Sequence, residues 1–389
     1  MAHNERNRPL TSDEIRARPT VPASAEMPAD ARVLLGSYVV ESATLHPPEV
    51  TTNITPLEAG GRGGGRYRLD IELQGARLPL TNSLQGIATQ AGSADERTPR
   101  VELGYRPPFH DLRVVPERLR TPDLPQEWQF LDQVAQPSPR HKFNDRSFPW
   151  CTFGRVTAPT YSPSSNWHGT GVMIGPRHLL TNNRIVRWSP QGGDAGWVVF
   201  TPAYFHGEAP FGTAYAEKVF FWRQLEPIFP TRDEHLLAFD YVVCVLNRRI
   251  GDVTGWVGWQ DTYDPAWNGL PYWSMVAYSA DFSNGEAPAF QDQVRVLEVR
   301  KPAGTDPPGQ ALVLENNAKC GAPGPFFEPG APLFGWWHPP EPWPRVVGIH
   351  ATVKGPKIPI TRPIDWGPSL AAGGLPLSWL IQHARSAFP

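Results

Sequence analysis

Hydrophobic and polar residues alternate over Arg66–Leu73, with Tyr67, Leu69, Ile71 and Leu73 on one face. That period of two marks a half-buried strand. Arg32–Val40 is a second strand-like run, and the glycine-rich run Gly60–Gly65 lies between the two. No phosphate-loop lysine and helix follow these glycines, so they read as a flexible turn. From about residue 140 the texture changes to short apolar runs parted by glycine-containing turns, with tryptophan frequent. That spacing predicts a sandwich or barrel of many strands. Leu377–Arg385 instead sets its apolar residues at helical intervals and predicts a C-terminal helix docked on the barrel. One short helix is expected around Gln126–Val134. Residues 1–30 are polar, proline-punctuated and aperiodic, and read as a disordered segment. Residues 31–139 then form a small β-rich accessory or pro-segment-like extension, and residues 140–389 the main domain.

Composition supports an all-β chain. The 389 residues include 45 prolines and 35 glycines, and proline both fixes φ and removes a backbone donor, so long helices are disfavoured. Lys and Arg total 36 against 38 Asp and Glu, a net charge of -2. That balance gives no electrostatic reason to expect a nucleic acid or a membrane surface as partner. Cys151, Cys244 and Cys320 make an odd set with no C-x-x-C pair, so no metal and no cofactor are expected. Buried or free thiols in a reducing compartment are the plainer reading. The first residues lack the apolar stretch of a secretory signal, and no window approaches the length needed to span a bilayer. A cytoplasmic location is the expectation that follows.

Three segments carry candidate chemistry. The first runs His168-Gly169-Thr170-Gly171 to His178-Leu179-Leu180-Thr181-Asn182-Asn183-Arg184. The second is Phe239-Asp240-Tyr241-Val242-Val243-Cys244. The third is Cys320-Gly321-Ala322-Pro323-Gly324-Pro325, followed by Val346-Val347-Gly348-Ile349-His350. Together they resemble the trypsin-like serine peptidases, and within them the glutamyl-endopeptidase (V8-like) branch. There the segments read G-T-G…L-T-A-x-H-C, then D-Y/I-A, then G-D/N/Q-S-G-G/S-P and V-G-I/V-H/Q-S. The resemblance covers residues 140–389 and implies the chymotrypsin-like fold: two six-stranded antiparallel β-barrels with a site in the cleft between them.

Matched position by position, Arg184 stands at the general base, Asp240 at the retained acid and Ala322 at the nucleophile; a gapped match puts Pro323 there instead. Acyl transfer needs a nucleophile, and a methyl group is not one. Arginine stays protonated and offers no lone pair to accept a proton. No catalytic residue is therefore intact in this degenerate triad. Rescue by His168, His178 or Cys320 lacks a matched base. The resemblance places the oxyanion-hole amides at Cys320 and Ala322, and His350 where glutamate-specific relatives bind a substrate carboxylate. Arg184 and Asp240 are expected to pair across the old centre. The leading expectation is a non-catalytic homologue that binds a protein or peptide, in the cleft or on its surface. The tryptophans of Trp256–Trp273 and Trp336-Trp337 are candidate contacts, but packing in the core and between the barrels is the plainer reading. The competing reading is a serine endopeptidase using a non-standard arrangement, and a third is a decaying paralogue with no retained role. The oligomeric state is not legible.

Overall fold

Short runs of β-branched and aromatic residues, broken by Pro and Gly, fold here as strands. The computed structural model describes residues 8–28, 37–39, 50–56, 66–73, 85–88, 101–117, 140–159, 166–188, 196–225, 233–302, 310–318, 330–338, 342–353 and 368–389. The expected helix at Gln126–Val134 and the run Gly60–Gly65 lie outside these residues. So do Cys320, Ala322 and Pro323.

The N-terminal segment holds α1 (Ser12–Arg16), capped by Thr11 and Glu14 in a reciprocal capping box, and the extension follows it. Strands β1 (Ser37–Val39), β2 (Val50–Pro56) and β3 (Arg66–Leu73) form a small sheet in the order β1-β3-β2. The alternating run at Arg66–Leu73 is thus a strand, and only Ser37–Val39 of the Arg32–Val40 run is described as one. Then come β4 (Gln85–Ala88), β5 (Val101–Glu102) and β6 (His141–Lys142), each of which joins a sheet of the main domain.

The first barrel uses β7 (Phe153–Pro159), β8 (Asn166–Gly175), β9 (His178–Thr181), β10 (Val199–Pro202), β11 (Ala214–Phe221) and β12 (Val242–Leu246). Their antiparallel order is β10-β7-β8-β9-β12-β11, and β10 pairs again with β11 to close the ring. The extension strand β4 adds to β11 in parallel. All of β12 is buried, as a continuous apolar run bounded by turns suggests. The short helix α2 (Glu234–Leu237), capped by Asp233, leads into it.

After α3 (Gly251–Thr254) the second half of the domain curls as one large sheet. It comprises β13 (Gly258–Gln260), β14 (Trp273–Ala277), β15 (Ala289–Val294), β16 (Val296–Arg300), β17 (Ala311–Asn316), β18 (Pro332–Trp337), β19 (Trp343–Val353) and β20 (Ser369–Gly374). The helix α4 (Ala280–Ser283) lies between β14 and β15. Its order is β16-β17-β20-β19-β18-β14-β15-β6, with β13 on β19. The first unit is therefore a closed six-stranded barrel and the second a curled half-barrel, whose outer strands do not pair with each other among the described residues. Both fit the chymotrypsin-like two-barrel plan. The predicted C-terminal helix is α5 (Leu375–Ala387), which buries Leu377, Leu380, Ile381 and Ala384. It touches both halves: Trp222 Nε1 donates to Pro376 O (3.0 Å) and Trp259 Nε1 to Ser378 Oγ (2.7 Å).

One expectation is corrected. Residues 8–28, read as disordered, form a docked arm. Leu10 and Ile15 are buried, Leu10 N donates to Trp336 O (2.7 Å), and Ser12 Oγ accepts from Gln293 N (3.2 Å). Val21 exchanges backbone bonds with Leu112, which bridges to Phe148. The arm's few apolar residues have no local period, because they are buried against distant strands and not against one another. The tryptophans follow the core-packing reading: Trp259, Trp273, Trp336 and Trp337 are each at most 2% exposed.

Candidate functional site

Strand register brings the site together. β9 pairs with β12 so that Thr181 faces Val242, which sets the turn after β9 beside the residues just before β12. The turn is a single 3-10 turn, Asn183–Ile185, capped by Asn182, whose side-chain oxygen accepts from Arg184 N at 2.9 Å. Arg184 therefore points at Asp240. Its Nε donates to Asp240 Oδ2 at 2.7 Å, and Nη2 lies 2.6 Å from the same oxygen. The guanidinium side chain is 7% exposed and the carboxylate 0%. Nη2 also donates to Ala351 O, in the opposite half of the domain. Asp240 Oδ1 and Arg184 Nη1 are buried and meet no partner among the described residues.

The second half supplies the other wall. His350 is buried on β19, and its N–H donates to Ala331 O at 2.8 Å. Asn182 Nδ2 reaches both His350 O (3.3 Å) and Asp240 O (3.2 Å), so one buried amide ties the halves together. Gly330 lies against the first barrel with φ 86°, where a Cβ would stand 2.1 Å from Thr170 O and 2.4 Å from Thr181 Oγ1. Only glycine permits that approach.

Electrostatics follow from burial. Desolvation pushes the Asp240 carboxyl above its usual range, and the Arg184 guanidinium opposes that rise. His350 is lowered to about 3 by burial, with the positive charge of Arg184 adding to the effect. Its imidazole is therefore neutral near pH 7. An always-charged guanidinium locked to a carboxylate holds charge but takes up no proton.

Of the residues singled out from sequence, Arg184, Asp240 and His350 converge, and the expected ion pair is present. Asn182, Gly330 and Ala351 were not singled out. Asn182 carried the one available signal, a polar residue where the resembled pattern has alanine. The strand pairing also bears on the third segment. Pro332 opens β18 and pairs with Ile349, so Gly330-Ala331-Pro332 stands beside the site. This run offers a second match to the G-G/S-P end of the pattern that sequence comparison set on Gly324-Pro325.

Of the candidates for rescue, Cys320 lies outside the described residues and the two histidines are engaged elsewhere. His178 Nε2 lies 3.2 Å from Ala384 O on α5, and burial lowers this histidine to about 4. His168 belongs to a second arginine cluster. Arg155 Nε donates to its Nδ1 (3.2 Å), while Arg155 Nη1 bonds Glu286 Oε1 (2.7 Å). Burial, then Arg155, lowers His168 to about 3. Cys151 and Cys244 are buried free thiols, with Cys151 Sγ bonded to Thr254 O (3.0 Å). Burial pushes Cys244 up to about 12, so it is no thiolate near neutral pH.

No family model matches the sequence, and no curated protein matches it. Solved structures similar to the chain include the protease Anisep from Arthrobacter nicotinovorans, at 17% identity over 60% of this chain and 93% of that one, TM-score 0.41. A Glu endopeptidase in complex with MPD is 14% identical over 65% of this chain and 99% of that one, TM-score 0.44. A scabies mite inactivated protease paralogue is 15% identical over 63% of this chain and 98% of that one, TM-score 0.39.

Proposed function

We propose that the chain is a catalytically inactive homologue of the serine proteases that works by binding a protein or peptide. One observation carries the reading: where the resemblance calls for an imidazole between acid and nucleophile, Arg184 is bonded to Asp240. A base must give up and regain a proton near neutral pH, and arginine does neither. The nucleophile position supports the same reading in either register. The first match gives Ala322, and the match ending at Pro332 gives Pro329. Neither residue carries a hydroxyl or thiol. A neutral, buried His350 also supplies no cation for a substrate carboxylate.

Casein digestion tests the proposal. The wild-type protein should release no peptides above a buffer blank, and sustained release by homogeneous protein would support the alternative, an endopeptidase with a non-standard site. Loss of a triad serine or histidine costs on the order of a million-fold in another serine protease, so background cleavage should be undetectable. Restoration is the second arm. Arg184→His combined with Pro329→Ser, or with Ala322→Ser, separates the two registers by which pair regains cleavage.

A further inference from the structure

The chain leading into β18 follows β19 as far as Gly330 and His350, where His350 N donates to Ala331 O (2.8 Å) and Gly330 N to His350 O (3.4 Å). Beyond that point β20 holds one flank of Ala351–Val353. Among the described residues no strand pairs with the other flank. Ala351 sits at a register shift between the pairs His350–Ala371 and Thr352–Leu370, the mark of a β-bulge, where a residue leaves the regular ladder. An edge carbonyl that no neighbouring strand takes up is a template for an extended chain. Here that carbonyl accepts from Arg184 Nη2.

We propose that Arg184 acts as an intramolecular plug, holding Ala351 O so that an extended peptide cannot add to this edge while the guanidinium stays in place. The inference rests on the inactive reading, in which position 184 is free of catalytic duty. Three features fix the plug. Asp240 grips the guanidinium through two nitrogens, Asn182 Oδ1 holds the Arg184 amide, and Ala351 is only 6% exposed. A carbonyl has a second lone pair, but a buried carbonyl covered by a guanidinium leaves no approach to it. A peptide must therefore displace a charge-assisted hydrogen bond and strand a buried carboxylate. The bond alone is worth about 1.5–3 kcal/mol, or roughly ten- to a hundredfold in affinity. Ligands of the wild-type protein are accordingly excluded from the cleft and confined to outer surfaces.

The test is fluorescence anisotropy with a fluorescein-labelled penta-alanine peptide, its integrity checked by mass spectrometry. Arg184→His keeps an imidazole partner for Asp240 but is too short to reach Ala351 O. It should bind the peptide about tenfold or more tighter than wild type. Arg184→Lys keeps a cation for Asp240 without the fork; it should fall between the two and serves if the histidine variant does not fold. Equal affinity of wild type and variants for intact peptide, or no binding by any of them, overturns the plug alone. Cleavage of the peptide by wild type overturns the inactive reading and the plug together.

Discussion

The molecule contains two clusters that each join an arginine, a carboxylate and a histidine. Arg184, Asp240 and His350 meet at the end of the first barrel, while Arg155, Glu286 and His168 meet on its β7-β8 flank. Both arginines reach across to the second half of the domain, one to Ala351 O and the other to Glu286. Their surroundings differ. Arg155 and Glu286 are 12% and 22% exposed, and Tyr204 donates to the second Glu286 oxygen at 2.5 Å. The inner cluster keeps a fully buried carboxylate with one oxygen unpartnered among the described residues. A saturated, partly hydrated pair contributes modestly whether made or broken. A desolvated pair contributes little net but is costly to break, because one partner is left charged in a dry site. The inner cluster is thus a poor device for stability. Its observable consequence is occupancy of the centre.

Single truncations should separate the clusters most sharply. Arg184→Ala leaves Asp240 buried and uncompensated and should cost about 3–5 kcal/mol in urea unfolding at pH 7. Arg184→Met with Asp240→Leu removes both charges and should lie within about 1 kcal/mol of wild type. If the double variant is as unstable as the single one, the pair stabilises the fold outright and the contrast fails.

Acid should act alike on the histidines of the two clusters. His350 and His168 are lowered to about 3 in the fold, against an ordinary value near 6.5. Below pH 6.5 the unfolded chain binds protons that the folded chain refuses. Stability is therefore complete above that pH and is lost as pH falls toward 3. Each imidazole accounts for at most about 3 kcal/mol by pH 4. The raised Asp240 carboxyl works in the opposite direction, because the folded state then binds its proton more readily. Unfolding midpoints measured from pH 7 to pH 4 should fall steeply in wild type and less steeply in His350→Asn. Identical slopes would mean that His350 takes up its proton in the fold as readily as in the unfolded chain.

Truncation of the outer cluster is a smaller effect. Arg155→Ala should cost about 1–2 kcal/mol, since water reaches Glu286 once the partner is gone. The exposed pair Arg249–Asp252, about half exposed on both sides, sets the floor. Arg249→Ala should change stability by less than about 0.5 kcal/mol in the same urea assay.

Legibility from sequence followed the range of the interactions. β3, the short strands of the barrels and α5 come from periods carried by neighbouring residues, and all three were readable. The pairing of Arg184 with Asp240 was readable too, because a motif order stood in for the fold. The arm at residues 8–28 was not, since Leu10 and Ser12 find partners at Trp336 and Gln293, beyond any local window. Nor was the approach of Gly330 to Thr170, which depends on the register between strands. For the tryptophans the sequence favoured core packing without deciding it, because aromatic side chains suit interfaces and cores equally well. Only burial decides between them.

The most direct test of the central claim, that a guanidinium–carboxylate pair has replaced the proton-relay chemistry, is intact-protein mass spectrometry after exposure to a fluorophosphonate. That reagent captures a hydroxyl only when a neighbouring base has activated it. The wild-type protein should retain its unmodified mass while an active serine protease in the same tube is fully labelled. A stoichiometric adduct on the wild-type chain, mapped to one serine and abolished by prior denaturation, would contradict the account.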